Sequence, residues 1–168
     1  LSAIISKRIF NSEGHVSAVI PGIQDDRDAY LMHLRGQNFA FDGIFLQFAF
    51  DWCVEKHAPA ADDWISFCVT GSLIHARHEP IIRDGFLAWI SGDWIKTMFI
   101  MVPVVEAVLR DIYTEIGGNP LKPSKSGGFD VIGMGQILSS EIFKERFQPD
   151  VVLHLKALYT DARGMNLR

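Results

Sequence analysis

Three places in this chain set polar side chains at spacings that could do chemistry. The final stretch DARGMNLR brings Arg163, Asn166 and Arg168 close together. Such a group suits a local phosphate site, and it suits equally an ordinary polar helix start with Asn166 as cap. Glu106 and Arg110 are four apart, with Tyr113 a turn further on. The other face of that helical pattern is Val105, Val108, Leu109, Ile112 and Ile116, so the charges must be paired or functional. They read as a bracing ion pair or as the polar floor of a small-molecule site. His75 and His78 in HARHEP could be half of a metal site, but nothing nearby completes a ligand set. A solvated loop or helix start is the simpler reading.

The common enzyme signatures are missing. KPSKSGG has the composition of a phosphate loop without its order of Gly, four residues, then Gly-Lys-Ser/Thr. GMGQ at 133–136 lacks the third glycine and the preceding strand of a dinucleotide fingerprint. Neither a Gly-x-Ser-x-Gly elbow nor a His-Glu-x-x-His helix occurs. No cofactor and no metal are expected.

The elements that must position these residues are mostly helical. Two β-branched stretches, about 2–10 and 15–20, flank Asn11-Ser12-Glu13-Gly14 and predict a hairpin closed by Pro21-Gly22. Residues 25–35 give a weak signal for a short helix. From about residue 43, GIFLQFAFDWCVEKH is apolar on most sides and predicts a largely buried helix. Asp62-Asp63 cap a helix to about Val69, Pro80 opens another to about Ser91, and Gly92-Asp93 marks a break. The longest element after that runs over about 94–116, with Pro103 inside it and a stop at Gly117-Gly118. NPLKPSKSGG reads as a mobile loop. Short helices follow near 133–139 and 140–147, then one from Pro149 to about 161, and RGMNLR reads as a break and the start of a further helix. The fold class is mainly α, with an N-terminal β-hairpin over 1–22 and a helical domain over 23–168.

Composition sets the outer limits. A hydrophobic fraction of 48% with 12 Phe and 4 Trp supplies a real core, which excludes disorder for most of the length. A net charge of −4 argues against a broad polyanion-binding surface, although basic groups outnumber acidic ones after residue 116. Cys53 and Cys68 read as buried thiols rather than a disulfide or metal pair, which suits the cytosol. The run TMFIMVPVV at 97–105 is far shorter than the roughly 20 apolar residues a membrane span needs. A soluble, cytoplasmic protein is expected. The chain begins at Leu1 rather than Met and stops at Arg168 with no closing signal, so it is expected to be a segment of something longer.

The block PIIRDGFLAWISGDWIKTMFIMVPVVEAVLRDIYTEIGG, then VIGMGQIL and DARGMNLR, resembles a family of uncharacterised domains within the HEPN superfamily. That family has a long helix bearing Pro-x-x-Glu-x-x-x-Arg, matched here by Pro103, Glu106 and Arg110. Its closing motif is roughly Gly-x-Asn-Leu-Arg-Asn-x-x-x-His-Gly. Gly164, Asn166, Leu167 and Arg168 match the first half, and the motif histidine is not among these residues. NSEGHVSAVIPG is similar to the hairpin that often precedes the bundle.

The resemblance implies a HEPN-like helical bundle and a metal-independent endoribonuclease, or an RNA- or nucleotide-binding effector, built as a homodimer with Arg/His motifs in a shared cleft. Cleavage of RNA by its own 2′-hydroxyl needs a proton acceptor, a proton donor and a cation for the phosphorane charge. In those roles Arg168 is the implied phosphate clamp, and Asn166 the orienter of an imidazole or a structural cap. Glu106 and Arg110 would brace the bundle. RNA or a nucleotide, a second copy and an antitoxin-type protein are the implied partners, with no membrane. The alternative is a non-catalytic helical module for interaction or dimerisation.

Overall fold

In the computed structural model, which describes residues 4–70 and 74–168, the chain is mainly helical with two short β-hairpins. Its contacts group into two compact units, Leu1–Phe48 with Phe147–Arg168, and Ala49–Arg146.

The first unit opens with strands β1 (Lys7–Phe10) and β2 (Val16–Ile20), antiparallel with Lys7 opposite Ile20 and an irregularity between Ile9 and Phe10. The predicted turn closes them. Asn11 Oδ1 accepts from the Glu13 and His15 N–H groups, and Gly14 takes a φ of 80°, which glycine adopts without strain. The earliest part of the predicted first strand, at residues 2 and 3, lies outside the described residues.

Helix α1 then runs from Arg27 to His57. The Asp26 carboxylate accepts from the Ala29 N–H at 3.0 Å and caps it. The sequence suggested a short helix and a later, separate one, but a single helix spans both. Gly36 and Gly43 are the weakest helix formers between them, each costing about 1 kcal/mol relative to Ala, and no proline interrupts the turn-to-turn ladder. The helix ends where Ala58 takes a φ of 44° and Pro59 follows.

Helix α7 (Pro149–Tyr159) returns along the start of α1, and Met32, Phe39 and Ala157 form a small core with Leu153 and Leu158 packed against it. The residues after α7 do not begin another helix, as the sequence had suggested. They fold back: the Met165 N–H donates to the Ala157 carbonyl at 2.7 Å, and the Leu167 N–H to Leu158 at 3.0 Å.

In the second unit the predicted punctuation sits where the elements change. Helix α2 (Ala61–Val69) has the Asp63 carboxylate accepting from the Ala60 N–H at 2.8 Å. A 3₁₀ turn at Ala76–His78 leads into α3 (Glu79–Ile90), with Pro80 in its first turn. Asp93 caps α4 (Trp94–Glu115) by accepting from the Lys96 N–H at 3.0 Å. At its far end Gly117 has a φ of 94°, and the Gly118 N–H donates to the Tyr113 carbonyl, as a Schellman stop requires. Ile65, Ile82 and Val104 centre the core of this unit.

NPLKPSKSGG is not a structureless loop. Its first part pairs as β3 (Leu121–Pro123) with β4 (Phe129–Val131), the turn being made by Gly127 and Gly128 at φ 89° and 84°. Helices α5 (Met134–Ser139) and α6 (Glu141–Arg146) complete the unit, with Met134, Ile137, Leu138 and Phe143 fully buried.

The middle of α1 departs from the expectation of burial. Phe41, Phe45, Phe48 and Trp52 are 65%, 71%, 68% and 57% exposed. An all-round apolar pattern reports that a helix must be covered, but not by what.

Candidate functional site

The sequence singled out Arg163, Asn166 and Arg168, and all three belong to the folded-back segment of the first unit. Their roles differ. Arg163 is consumed structurally: its Nε and one terminal nitrogen donate to the two Asp161 oxygens at 2.8 and 2.6 Å, and its backbone N–H donates to Oδ1 at 2.9 Å. Those hydrogen bonds hold the Asp161 carboxyl below the usual carboxylate range against the effect of burial, and the same contact raises Arg163. Asn166 is not a helix cap. It is an exposed residue outside any helix, with a φ of 48°, a left-handed conformation that asparagine tolerates better than most residues. Arg168 lies exposed just beyond Leu167.

What fixes this segment is a close approach of backbones. A Cβ on Gly164 would fall on the Ala157 carbonyl oxygen and 2.8 Å from its carbon, while one on Gly36 would lie 2.7 Å from the Gly164 Cα. Gly164 is thus wedged between α1 and α7, and only hydrogen at both glycines allows it.

Beside the wedge stands a pair the sequence did not reveal. Arg35, next to Gly36 on α1, places a terminal nitrogen 3.1 Å from Nδ1 of His154, three residues before Ala157 on α7. A guanidinium has only donors, so Nδ1 must accept and the remaining proton sits on Nε2. Burial, and then the charge of Arg35, hold His154 below the ordinary imidazole range, with Asp42 opposing. The ring also meets Phe39 edge-on, with centroids 4.5 Å apart. Arg35 Nε is buried and makes no hydrogen bond. The outcome is a neutral imidazole fixed in one tautomer against a permanent cation, partly open to solvent. Chemically this is a proton-transfer group beside an anion clamp. The two residues are far apart in sequence and show no local spacing by which they could have been found.

The other predicted places have structural work. Glu106 accepts from Arg110 at 3.2 Å and from the Met134 N–H at 3.2 Å, tying α4 to the start of α5. His78 is not a solvated loop residue: its Nε2 lies 2.6 Å from Asp111 on α4, which Arg77 also reaches, and His75 pairs with Glu115 at 2.9 Å. Burial pushes the Asp111 carboxyl up, but the hydrogen bonds and charges of His78 and Arg77 outweigh it and leave it lowered. Among the described residues no group of three or more His, Cys, Asp or Glu could hold a metal ion. Cys53 and Cys68 are free and half-buried, and burial raises the Cys68 thiol, which disfavours its reactive form. Among the described residues no helix is long and apolar enough to cross a membrane. No protein-family model, curated protein or solved structure matches the chain.

Proposed function

We propose that the chain is a HEPN-type helical domain that acts on RNA as a homodimer, cleaving it by attack of the 2′-hydroxyl on the adjacent phosphorus. The observation that carries this reading is the Arg35–His154 pair, anchored to the same helix turns as the segment bearing Asn166 and Arg168. In such a reaction a 2′-O–P bond forms and the bond from phosphorus to the 5′-oxygen breaks. The hydroxyl proton goes to a base, and the leaving oxygen takes one from an acid. His154, held neutral, suits the base: its Nδ1 takes the 2′-hydroxyl proton as Arg35 turns from it to the phosphate, and solvent water protonates the leaving 5′-oxygen. Arg35 and Arg168 are the cations for the phosphate charge, and Asn166 orients. The acidic net charge of −4 makes the site local rather than part of a broad basic surface, so binding should depend only modestly on salt.

The test is binding and cleavage of a fluorescein-labelled single-stranded RNA by the intact protein. His154→Gln, which keeps an acceptor for Arg35, should slow cleavage about a hundredfold while leaving binding nearly intact. Arg168→Ala should weaken binding about threefold to tenfold. Cleavage at the wild-type rate by both variants, or no interaction with RNA at all, would overturn the reading. A second reading, a non-catalytic dimerisation module, draws its support from the exposed Phe41, Phe45, Phe48 and Trp52.

A further inference from the structure

The β3–β4 hairpin of the second unit has one edge closed and one open. Ser124 donates its N–H to the Gly128 carbonyl at 3.1 Å, and Ile132 donates its N–H to the Pro120 carbonyl at 2.9 Å. An antiparallel ladder alternates, so Lys122 and Asp130 also turn their backbone groups inward. Leu121, Pro123, Phe129 and Val131 turn theirs to the two edges. On the β3 edge the Leu121 N–H is taken by Asn119 Oδ1 at 2.9 Å, and Pro123 has no N–H to give. That edge presents no free donor. On the β4 edge the N–H and C=O groups of Phe129 and Val131 have no partner among the described residues. All residues of both strands are exposed, so nothing in this chain covers β4. Such an edge is a template for a further strand, and a two-stranded ribbon gains most from one.

The side chains decide what that strand must carry. Phe129 and Val131 lie on one face of β4 and Asp130 on the other. A strand hydrogen-bonded to Phe129 and Val131 sets one of its residues opposite each of them, and the residue between opposite Asp130. The Asp130 carboxylate has no partner among the described residues: Lys122, directly across the hairpin, donates instead to Gln136 Oε1 at 3.1 Å. Opposite charges across a ladder stabilise it, and like charges directly opposite destabilise it. The fitting pattern is therefore apolar, basic, apolar. A second copy fits badly. Two β4 strands joined through both Phe129 and Val131 about a two-fold axis would set the two Asp130 carboxylates opposite one another.

We propose that β4 is a docking edge for an extended peptide segment of another protein, one carrying Lys or Arg between two apolar residues, which joins the hairpin as a third, antiparallel strand. All of these residues belong to the second unit, so the site does not rest on the RNA reading. The probe is the peptide acetyl-Ser-Thr-Ile-Lys-Ile-Thr-Ser-amide, titrated into the intact, isotope-labelled protein and followed by backbone amide chemical shifts. The Phe129 and Val131 signals should move, and exchange of their amide protons should slow. The same peptide with Glu in place of Lys should bind about threefold to tenfold more weakly. N-methylation of both Ile residues removes the two donors that face β4 and should weaken binding at least about tenfold. Asp130→Lys, at an exposed position, should reverse the preference, so that the Glu peptide binds the better. No movement at Phe129 and Val131 with the Lys peptide would overturn the proposal. Equal affinity for the Lys and Glu peptides, or binding indifferent to N-methylation, would do the same. Peptide binding that fades as protein concentration rises would also overturn it, and would give the edge to a second copy.

Discussion

His154 links the candidate site to a measurable property of the folded state. Its imidazole is held below the ordinary value of 6.5 by burial and by Arg35, so below that value the unfolded chain takes up a proton that the folded chain resists. The stabilisation is therefore complete above pH 6.5 and is lost as pH falls through the lower folded value. Thermal unfolding of the wild type should drop in midpoint between pH 7 and pH 5, and His154→Gln should drop less over the same window. Equal pH dependence in the two proteins would contradict a lowered His154 value in the folded state. The Asp161–Arg163 pair responds in another range, since its carboxyl is lowered and its contribution is lost only as pH falls below the usual carboxylate titration. It holds the turn that presents Asn166 and Arg168, and it serves as a brace rather than as part of the chemistry.

At the scale of elements, two glycines make opposite predictions from similar crowding. A Cβ on Gly164 meets backbone atoms of Ala157 in α7, which cannot move without moving the helix, so Gly164→Ala should cost about 2–3 kcal/mol and loosen the folded-back segment. A Cβ on Gly85 in α3 meets the sulfur of Met101 in α4 at 2.5 Å, the flexible end of an adaptable side chain. Gly85→Ala should therefore cost less than about 1 kcal/mol, part of it recovered from the better helix propensity of alanine. Urea denaturation of both variants checks the order, and a Gly85 cost equal to that of Gly164 would contradict the packing argument. The same contrast explains which parts of the fold could be read in advance. Pro80, Asp93, Gly117-Gly118 and Pro149 punctuate locally, through caps and missing N–H groups, and the helices start and stop beside them. The hairpin of β3 and β4 was hidden because three-residue strands rich in Lys, Pro and Gly leave almost no alternating pattern. The continuity of α1 was hidden because glycine signals interruption without enforcing it. Arg35–His154 and His78–Asp111 are tertiary meetings of residues on separate helices, and no local spacing encodes them. Asn166 and Arg168 could be singled out because they are only two apart in the chain, yet the turn that presents them depends on Gly36 far away on α1.

For the whole molecule, the open question raised by the chain is what covers α1. Phe41, Phe45, Phe48 and Trp52 recur at intervals of three and four, which puts them on a single stripe more than half exposed throughout. Fully covering one such aromatic ring is worth about 2–3 kcal/mol, so a stripe of four in water is a strong drive towards association. The occupant that the nuclease reading and the interaction-module reading share is a second copy, whose identical stripe would pack against this one about a two-fold axis. A two-fold axis sets the same aromatic face of both copies against each other, so no second kind of surface is needed. The expected state in solution is a dimer, and sedimentation equilibrium of the wild type against Phe45→Glu tests it. One buried glutamate per subunit at the centre of the stripe, doubled by symmetry, should weaken self-association by at least about a hundredfold. Helicity should be unchanged, because Phe45 is 71% exposed within its own chain. If the variant is monomeric and also loses RNA cleavage while His154 and Arg35 remain in place, the catalytic cleft needs both subunits. A monomeric variant that still cleaves RNA would assign the chemistry to one chain and leave α1 a role in assembly alone. A wild type that is itself monomeric would remove the second copy as the cover for this face.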